Sequence, residues 1–213
     1  MKIFLFLLFF TAISQSFART VLVIGDSHSV GPFGWALDEN LRADGNHVYT
    51  VASCGSIPGW WYSGKQTPCG FYRRDLKGTK FSATKAATPI ITELLNDVKP
   101  ETVILEFGGN YLNLPSDSFV INDIRKIIAS IKNSGAKCFW ITHPDTRANR
   151  SAIPRIGRLI KEAIGESCPV FESYLVTRYP ESGGDGTHYW FSTGTPLAKK
   201  WAMDAFLDYK KHE

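Results

Sequence analysis

Short apolar runs alternate along this chain with stretches of helical period. The runs at 21–24 (VLVI), 102–107 (TVILEF) and 137–142 (KCFWIT) predict buried parallel strands, with shorter strands at 47–52 and 169–173. Between them, apolar positions recur at helical spacing over 31–43, 83–98, 114–133, 151–164 and 193–209. The last of these helices is expected to turn Leu197, Trp201, Phe206 and Leu207 inward. Strands alternating with helices predict one domain built on a doubly wound parallel sheet. Residues 53–80 break the pattern: they are rich in Gly, Pro, Ser and aromatics and have no period. An aperiodic connection of that length inside a compact domain is commonly functional.

The opening segment, MKIFLFLLFFTAISQSFA, stands apart from the alternation. It carries one lysine, an apolar run and a small-x-small ending at Ser16-Phe17-Ala18, the pattern of a secretory signal peptide over 1–18. The apolar run from 3 to 13 is short for a bilayer span, and no cysteine follows it as a lipoprotein would require. Cleavage after Ala18 leaves 19–213 as a secreted or periplasmic domain with no stable membrane insertion. The 213 residues suffice for a sizeable core, and the net charge of +4 comes without a basic block, so no nucleic-acid partner is expected. The four cysteines suit an oxidising compartment and allow three pairings. Cys138 opens one strand and Cys168 just precedes the next, which favours a bridge between neighbouring strand starts and leaves Cys54 with Cys69. There is no Cys-x-x-Cys pair, phosphate loop or dinucleotide fingerprint, so neither metal nor cofactor is expected. Asn149-Arg150-Ser151 is a glycosylation sequon.

The first apolar run ends in Gly25-Asp26-Ser27. At the carboxyl edge of an open α/β sheet, where ligands gather, Ser27 is a candidate nucleophile; alone, Asp26 and Ser27 read equally as helix caps. A serine hydroxyl needs a base, the base an orienting group, and the developing oxyanion needs donors. Among the five histidines, His188 follows Asp185 by three positions, a spacing that puts both on one face of a turn. Asp185 can then hold Nδ1 of His188 while Nε2 faces Ser27; the local alternative is a capping aspartate and a surface histidine. Gly55, after the second strand, has an exposable N–H, and Asn110, after the third, a side-chain amide; each is also an ordinary turn residue. His28 is a rival base, although its position next to Ser27 points its ring elsewhere.

With these residues in order, the chain resembles an SGNH hydrolase of the GDSL esterase/lipase superfamily. The resemblance rests on Gly25-Asp26-Ser27, Gly55, Gly108-Gly109-Asn110 and Asp185-Gly186-Thr187-His188, and spans nearly all of 19–213. It implies a three-layer α/β/α flavodoxin-like sandwich around a five-stranded parallel sheet of order 2-1-3-4-5. It implies Ser27 as nucleophile, His188 as base, Asp185 as orienter, and an oxyanion hole made by the N–H groups of Ser27 and Gly55 with the amide of Asn110. His28 stands where many members carry leucine, and Tyr111 where many carry aspartate, which leaves the subfamily and substrate open.

Other residues bear on the substrate. Trp60, Trp61 and Tyr62 read as a stacking platform for sugar rings or as a local core. Trp190 and Tyr111 are further candidate contacts; for Tyr189 and Trp190, beside His188, packing is the alternative. Arg147, Arg150, Arg155 and Arg158 suit either an anionic polymer or a solvated helix face. The expected function is an exported serine esterase acting on a small acyl ester, acetate foremost, of a carbohydrate or cell-wall glycan. A lipase or thioesterase, a glycan O-acyltransferase and a non-catalytic glycan-binding module are the alternatives. Oligomeric state is not legible.

Overall fold

The computed structural model describes residues 18–213; the expected signal peptide lies, apart from Ala18, outside the described residues. β1 (Thr20–Gly25) passes through a single turn, α1 (Ser27–Val30), into α2 (Pro32–Ala43) and then β2 (His47–Ser53). α3 (Trp60–Ser63), β3 (Gln66–Thr67), β4 (Phe71–Arg74), β5 (Lys80–Ala83) and β6 (Ala86–Ala87) follow. The second half alternates: α4 (Ile91–Val98), β7 (Thr102–Glu106), α5 (Asp117–Asn133), β8 (Lys137–Ile141), α6 (Ile153–Ile164), β9 (Val170–Phe171), α7 (Ser173–Val176) and α8 (Gly194–Tyr209).

One sheet organises these elements, with strand order β5-β4-β2-β1-β7-β8-β9. The five strands from β2 to β9 are mutually parallel and reproduce the order the resemblance implies. Successive residues of β1 face opposite sides, as the pleat requires. Leu22 and Ile24 pack with α4, α5 and α6 through Leu94, Ile124, Ile127 and Ile156. Val21 and Val23 pack with α2 and α8 through Phe33, Leu37, Trp201 and Ala205. The result is a three-layer α/β/α sandwich with a core on each face.

The sheet has seven strands rather than five. β4 and β5 add an antiparallel hairpin beyond β2, within and just after the stretch read as aperiodic connection. The hairpin turns at Asp75, whose N–H bonds the Thr79 carbonyl and whose carboxylate accepts from the Thr79 N–H at 2.8 Å. It is anchored by Asp38, a buried carboxylate on α2 that accepts from Arg74 at 2.6 Å, Arg42 at 2.8 Å and Thr50 at 2.6 Å. The helix expected over 83–98 begins only at Ile91, because β6 pairs with β3 and Pro89 restrains the residue before it from helical conformation. α8 buries Ala198, Trp201, Ala202, Ala205 and Tyr209, while Leu197 and Leu207 face outward. The small residues let α8 lie close to α2, where Trp201 stacks on Phe33 at 3.6 Å.

The cysteines pair as Cys54–Cys69 and Cys138–Cys168, with Cα separations of 5.5 and 5.2 Å. The first bridge closes the loop after β2 at the carboxyl edge of the sheet; the second joins the amino end of β8 to the residue two before β9. Among the described residues no helix is long and apolar enough to cross a membrane.

Candidate active site

The registers of the central strands bring three loops together. Gly25 pairs with Ala52 on one side and Glu106 on the other. The segments that follow, 26–27, 54–56 and 107–110, therefore emerge side by side. Asp26 starts α1 by accepting the N–H of His28 at 3.0 Å, the capping role its residue type suits. Ser27 is the first residue of that turn and is almost buried.

A fourth segment, between α7 and α8, brings up the remaining groups. Nε2 of His188 lies 3.0 Å from Oγ of Ser27, and Nδ1 lies 2.6 Å from Oδ2 of Asp185. The other carboxylate oxygen of Asp185 accepts the N–H groups of Thr187 at 2.8 Å and His188 at 2.7 Å. Partial burial works to raise the Asp185 pKa, but these contacts and the His188 ring outweigh it and hold the group at about 2. Asp185 is thus charged throughout the neutral range, and its carboxylate suits the Nδ1–H tautomer of His188, in which Nε2 can accept from Ser27. Such a chain can take the hydroxyl proton as the oxygen attacks a carbonyl.

Donors surround the same point. Neither the N–H of Ser27 nor that of Gly55 has an acceptor among the described residues. Gly55 has a φ of +81°, in the left-handed region that favours glycine, and this turn is held by the adjacent Cys54–Cys69 bridge. Asn110 sits in a single 3-10 turn after β7. Its amide nitrogen donates to Oδ2 of Asp26 at 3.1 Å and to the Ser56 carbonyl at 2.9 Å.

Beneath this cluster lie two buried carboxyls, Asp26 and Glu106, at the adjoining ends of β1 and β7. Burial pushes Asp26 up to about 6, against the pull of the His28 N–H. Burial, and then the charge of Asp26, pushes Glu106 well above the usual carboxylate range. Burial thus disfavours charge on both groups, and Glu106 also accepts the Ser29 hydroxyl at 2.8 Å. Asp26 orients Asn110 by accepting its amide N–H. A glutamate ending the otherwise apolar run TVILE was the sequence signal for this pair.

His28 does not compete for Ser27. Its ring packs 5.5 Å from those of His188 and Trp201, and burial, followed by the nearby histidines, lowers it to about 3. Trp61 and Tyr111, expected as substrate contacts, are fully buried. Trp61 packs against Phe107, and Tyr111 donates to Asp123 at 2.6 Å. Both follow turns that fold back toward α5, so the local-core reading holds for Trp61, and Tyr111 is a core residue rather than an exposed contact. Trp60 is partly exposed, with the Lys65 ammonium 4.4 Å over its ring, and Trp190 is 43% exposed beside His188.

Arg155 and Arg158 lie on α6, pairing with Asp117, and Arg158 is exposed as the solvated-face reading expects, whereas Arg147 and Arg150 fit neither expectation. Arg147 donates to the carbonyls of Pro180 and Gly183, and Arg150 forms a two-pronged pair with Asp145 at 3.0 and 2.9 Å. Asp145 accepts the Tyr179 N–H at 2.8 Å, and Thr146 donates to the Gly186 carbonyl at 2.8 Å. The Tyr179 hydroxyl donates to the His188 carbonyl at 3.1 Å and accepts the Gly186 N–H at 3.0 Å. The segment after β8 thus braces the loop that carries Asp185 and His188. Tyr179 and Asp145 had no local sequence signal, since their role arises from contact between two distant loops. Among the described residues no group of three His, Cys, Asp or Glu side chains is arranged to hold a metal ion.

The fold is that of the GDSL/SGNH-type esterases and acylhydrolases. The chain superposes on TesA with a TM-score of 0.60 at 16% identity, covering 88% of this chain and 97% of that one. It superposes on the psychrotrophic esterase EstA from Pseudoalteromonas sp., inhibited by monoethylphosphonate, with a TM-score of 0.57 at 13% identity over 91% and 99% of the two chains. A peptidoglycan O-acetylesterase gives 0.56 at 13% identity over 92% of each. No family model matches the sequence, and no curated protein matches it.

Proposed function

We propose that this chain is an exported serine esterase that removes a small acyl group, acetate foremost, from a carbohydrate or cell-wall glycan. The observation that carries the reading is the continuous line from Ser27 Oγ through His188 to Asp185, at 3.0 and 2.6 Å. In the proposed reaction Ser27 attacks the ester carbonyl while His188 takes its proton. The oxyanion is held by the N–H groups of Ser27 and Gly55 and by the Asn110 amide, which releases the Ser56 carbonyl to reach it. His188 then protonates the departing alcohol, and water, activated by the same imidazole, frees the acyl group from Ser27. Asp26 accepts the Asn110 amide at 3.1 Å and so aligns it before the reaction starts, leaving only the Ser56 contact to be exchanged as charge develops.

Acetate and a glycan are supported by neighbours of the same fold described as a peptidoglycan O-acetylesterase and an acetyl xylan esterase. Export is supported by two disulfides and by the signal-peptide pattern of 1–18. A screen of acetylated glycans beside aryl esters of increasing acyl length tests the reading. Wild-type protein should release acetate and disfavour long acyl chains, and Ser27→Ala should release nothing. Preference for long chains would make it a lipase or thioesterase, and transfer to an added sugar acceptor an acyltransferase.

A further inference from the structure

Beside the proposed catalytic residues runs a cleft of about 420 Å³ lined by Val30, Gly31, Pro32, Trp35, Trp190 and Thr195. We propose that this cleft is the subsite for the alcohol half of the ester and that it takes a neutral sugar ring; the assignment to the alcohol half rests on the serine-esterase reading.

Position supplies the first argument. The ring of Trp190 lies 4.7 Å from that of His188, tilted by 34°. In serine ester hydrolysis the imidazole that took the serine proton returns it to the leaving oxygen, so the alcohol departs along the His188 side. The oxyanion donors at Ser27, Gly55 and Asn110 claim the carbonyl oxygen. A cleft that shares a wall with His188 through Trp190 therefore receives the leaving group rather than the acyl chain.

Composition supplies the second. None of the six lining residues is charged, and Thr195 offers the one side-chain hydroxyl. Trp35 and Trp190 are 46% and 43% exposed. Scattered exposed apolar side chains are ordinary, but two half-exposed indoles flanking one cleft make a contiguous apolar surface of the kind that marks a binding site. An indole face matches the C–H face of a sugar ring, while the ring hydroxyls stay in water at the open side. A sugar acid would find no counter-ion here.

The third is that the cleft is built. Gly31 has φ −109° and ψ −157°, an extended conformation open to any residue, so its lack of a side chain is not a conformational need. A Cβ at Gly31 would fall 2.2 Å from Nε1 of Trp190. Glycine at that position makes the space in which the indole lies. At about 420 Å³ the cleft falls within the usual range for small-molecule sites, roughly 300–1,000 Å³.

Two measurements test this. In the first, kcat/KM is compared for acetyl esters that differ only in the alcohol, methyl acetate against an acetylated neutral xylo-oligosaccharide, and for esters of one alcohol that differ in acyl length. Trp35→Ala should lower the ratio of sugar ester to methyl acetate by about 5- to 10-fold, the size of one aromatic stacking contact, chiefly through KM. The acyl-length preference should not move. A shift in acyl-length preference, or an equal loss on both alcohols, overturns the proposal, the former by making the cleft an acyl pocket. In the second, Ser27→Ala protein is titrated with the deacetylated neutral oligosaccharide while indole N–H resonances are followed. Those of Trp35 and Trp190, assigned through Trp35→Phe and Trp190→Phe, should shift at millimolar ligand, and an oligogalacturonate should leave them in place. Unmoved indoles overturn the sugar site even if esterase activity is present. Absent ester turnover in the wild type defeats the esterase reading, and the titration still decides whether the cleft binds sugar.

Discussion

The side-chain amide of Asn110 donates to the carboxylate of Asp26 at 3.1 Å, which ties the proposed oxyanion donor to the residue just before the proposed nucleophile. Orientation of that donor is then a property of the folded ground state. Asn110→Ala should lower kcat by about two to three orders of magnitude, as loss of one oxyanion donor does elsewhere, with little change in KM, because the contact matters in the transition state. Steady-state kinetics on an aryl acetate checks this. A loss confined to KM would make Asn110 a substrate-binding residue.

Tyr179→Phe isolates the brace on the Asp185–His188 loop. The hydroxyl accepts the Gly186 N–H and donates to the His188 carbonyl, on a fully buried side chain. Its removal leaves Gly186 without that acceptor, at a cost of about 1–3 kcal/mol, and loosens the aim of the imidazole. Thermal melting should fall by several degrees and kcat should fall with it, while KM holds. Unchanged kcat with lowered melting would make Tyr179 purely structural.

The two disulfides should separate rate from stability. In the chain-entropy model a loop of the length closed by Cys54–Cys69 contributes about 3 kcal/mol, and the longer one closed by Cys138–Cys168 somewhat more. The first adjoins Gly55; the second lies at the far ends of the strands. Replacing Cys54 and Cys69 together by serine should lower kcat more than it lowers melting temperature. The same change at Cys138 and Cys168 should lower melting temperature and spare kcat. Equal effects from both pairs would remove the special role given to the Gly55 turn.

Acid stability should carry the signature of buried histidines. His143 is fully buried, stacked on Tyr174, with neither ring nitrogen hydrogen-bonded, and burial lowers it to about 4 despite the opposing charge of Asp145. Burial likewise lowers His28 to about 3. The unfolded chain takes up these protons near pH 6.5, before the folded protein does, so this contribution is lost as pH falls from about 6.5 toward 4. Asp26 and Glu106 act oppositely: their folded pKa values are raised, so the folded protein takes up protons first and gains on acidification. His143→Phe separates the two. Its unfolding free energy relative to wild type should rise steadily from pH 7 to pH 4.5 in denaturant titrations. A pH-independent difference would mean that His143 is not held neutral.

Much of this was legible in the chain because it depends on local pattern. The apolar runs at β1, β7 and β8 fixed the sheet's centre, and Ser27, Gly55 and Asn110 each sit where a strand ends. Asp185 and His188 share one turn, so their contact needed no knowledge of the tertiary fold. What was not legible depends on partners far apart in sequence. The β4–β5 hairpin is held by Asp38 on α2, so its pattern alone, two buried residues in β4 and an exposed β5, looked like loop. The helix expected from Ala83 gave way to β6 because its pairing partner, β3, lies in the same irregular stretch. Trp61 and Tyr111 looked like exposed aromatics next to a site, and their burial follows from how α3 and the turn after β7 fold onto α5. Tyr179 and Asp145 emerge only when distant loops meet at the carboxyl edge.

The central claim is that Ser27 is the atom acylated in turnover. Incubation of the protein with an aryl phosphonate, followed by peptide mass spectrometry, tests it directly. The account predicts a single phosphonyl adduct on the peptide containing Ser27, loss of ester turnover in proportion to labelling, and no labelling in Ser27→Ala or at a much reduced rate in His188→Ala. An adduct on another residue, or ester turnover that persists once Ser27 is fully labelled, would contradict it.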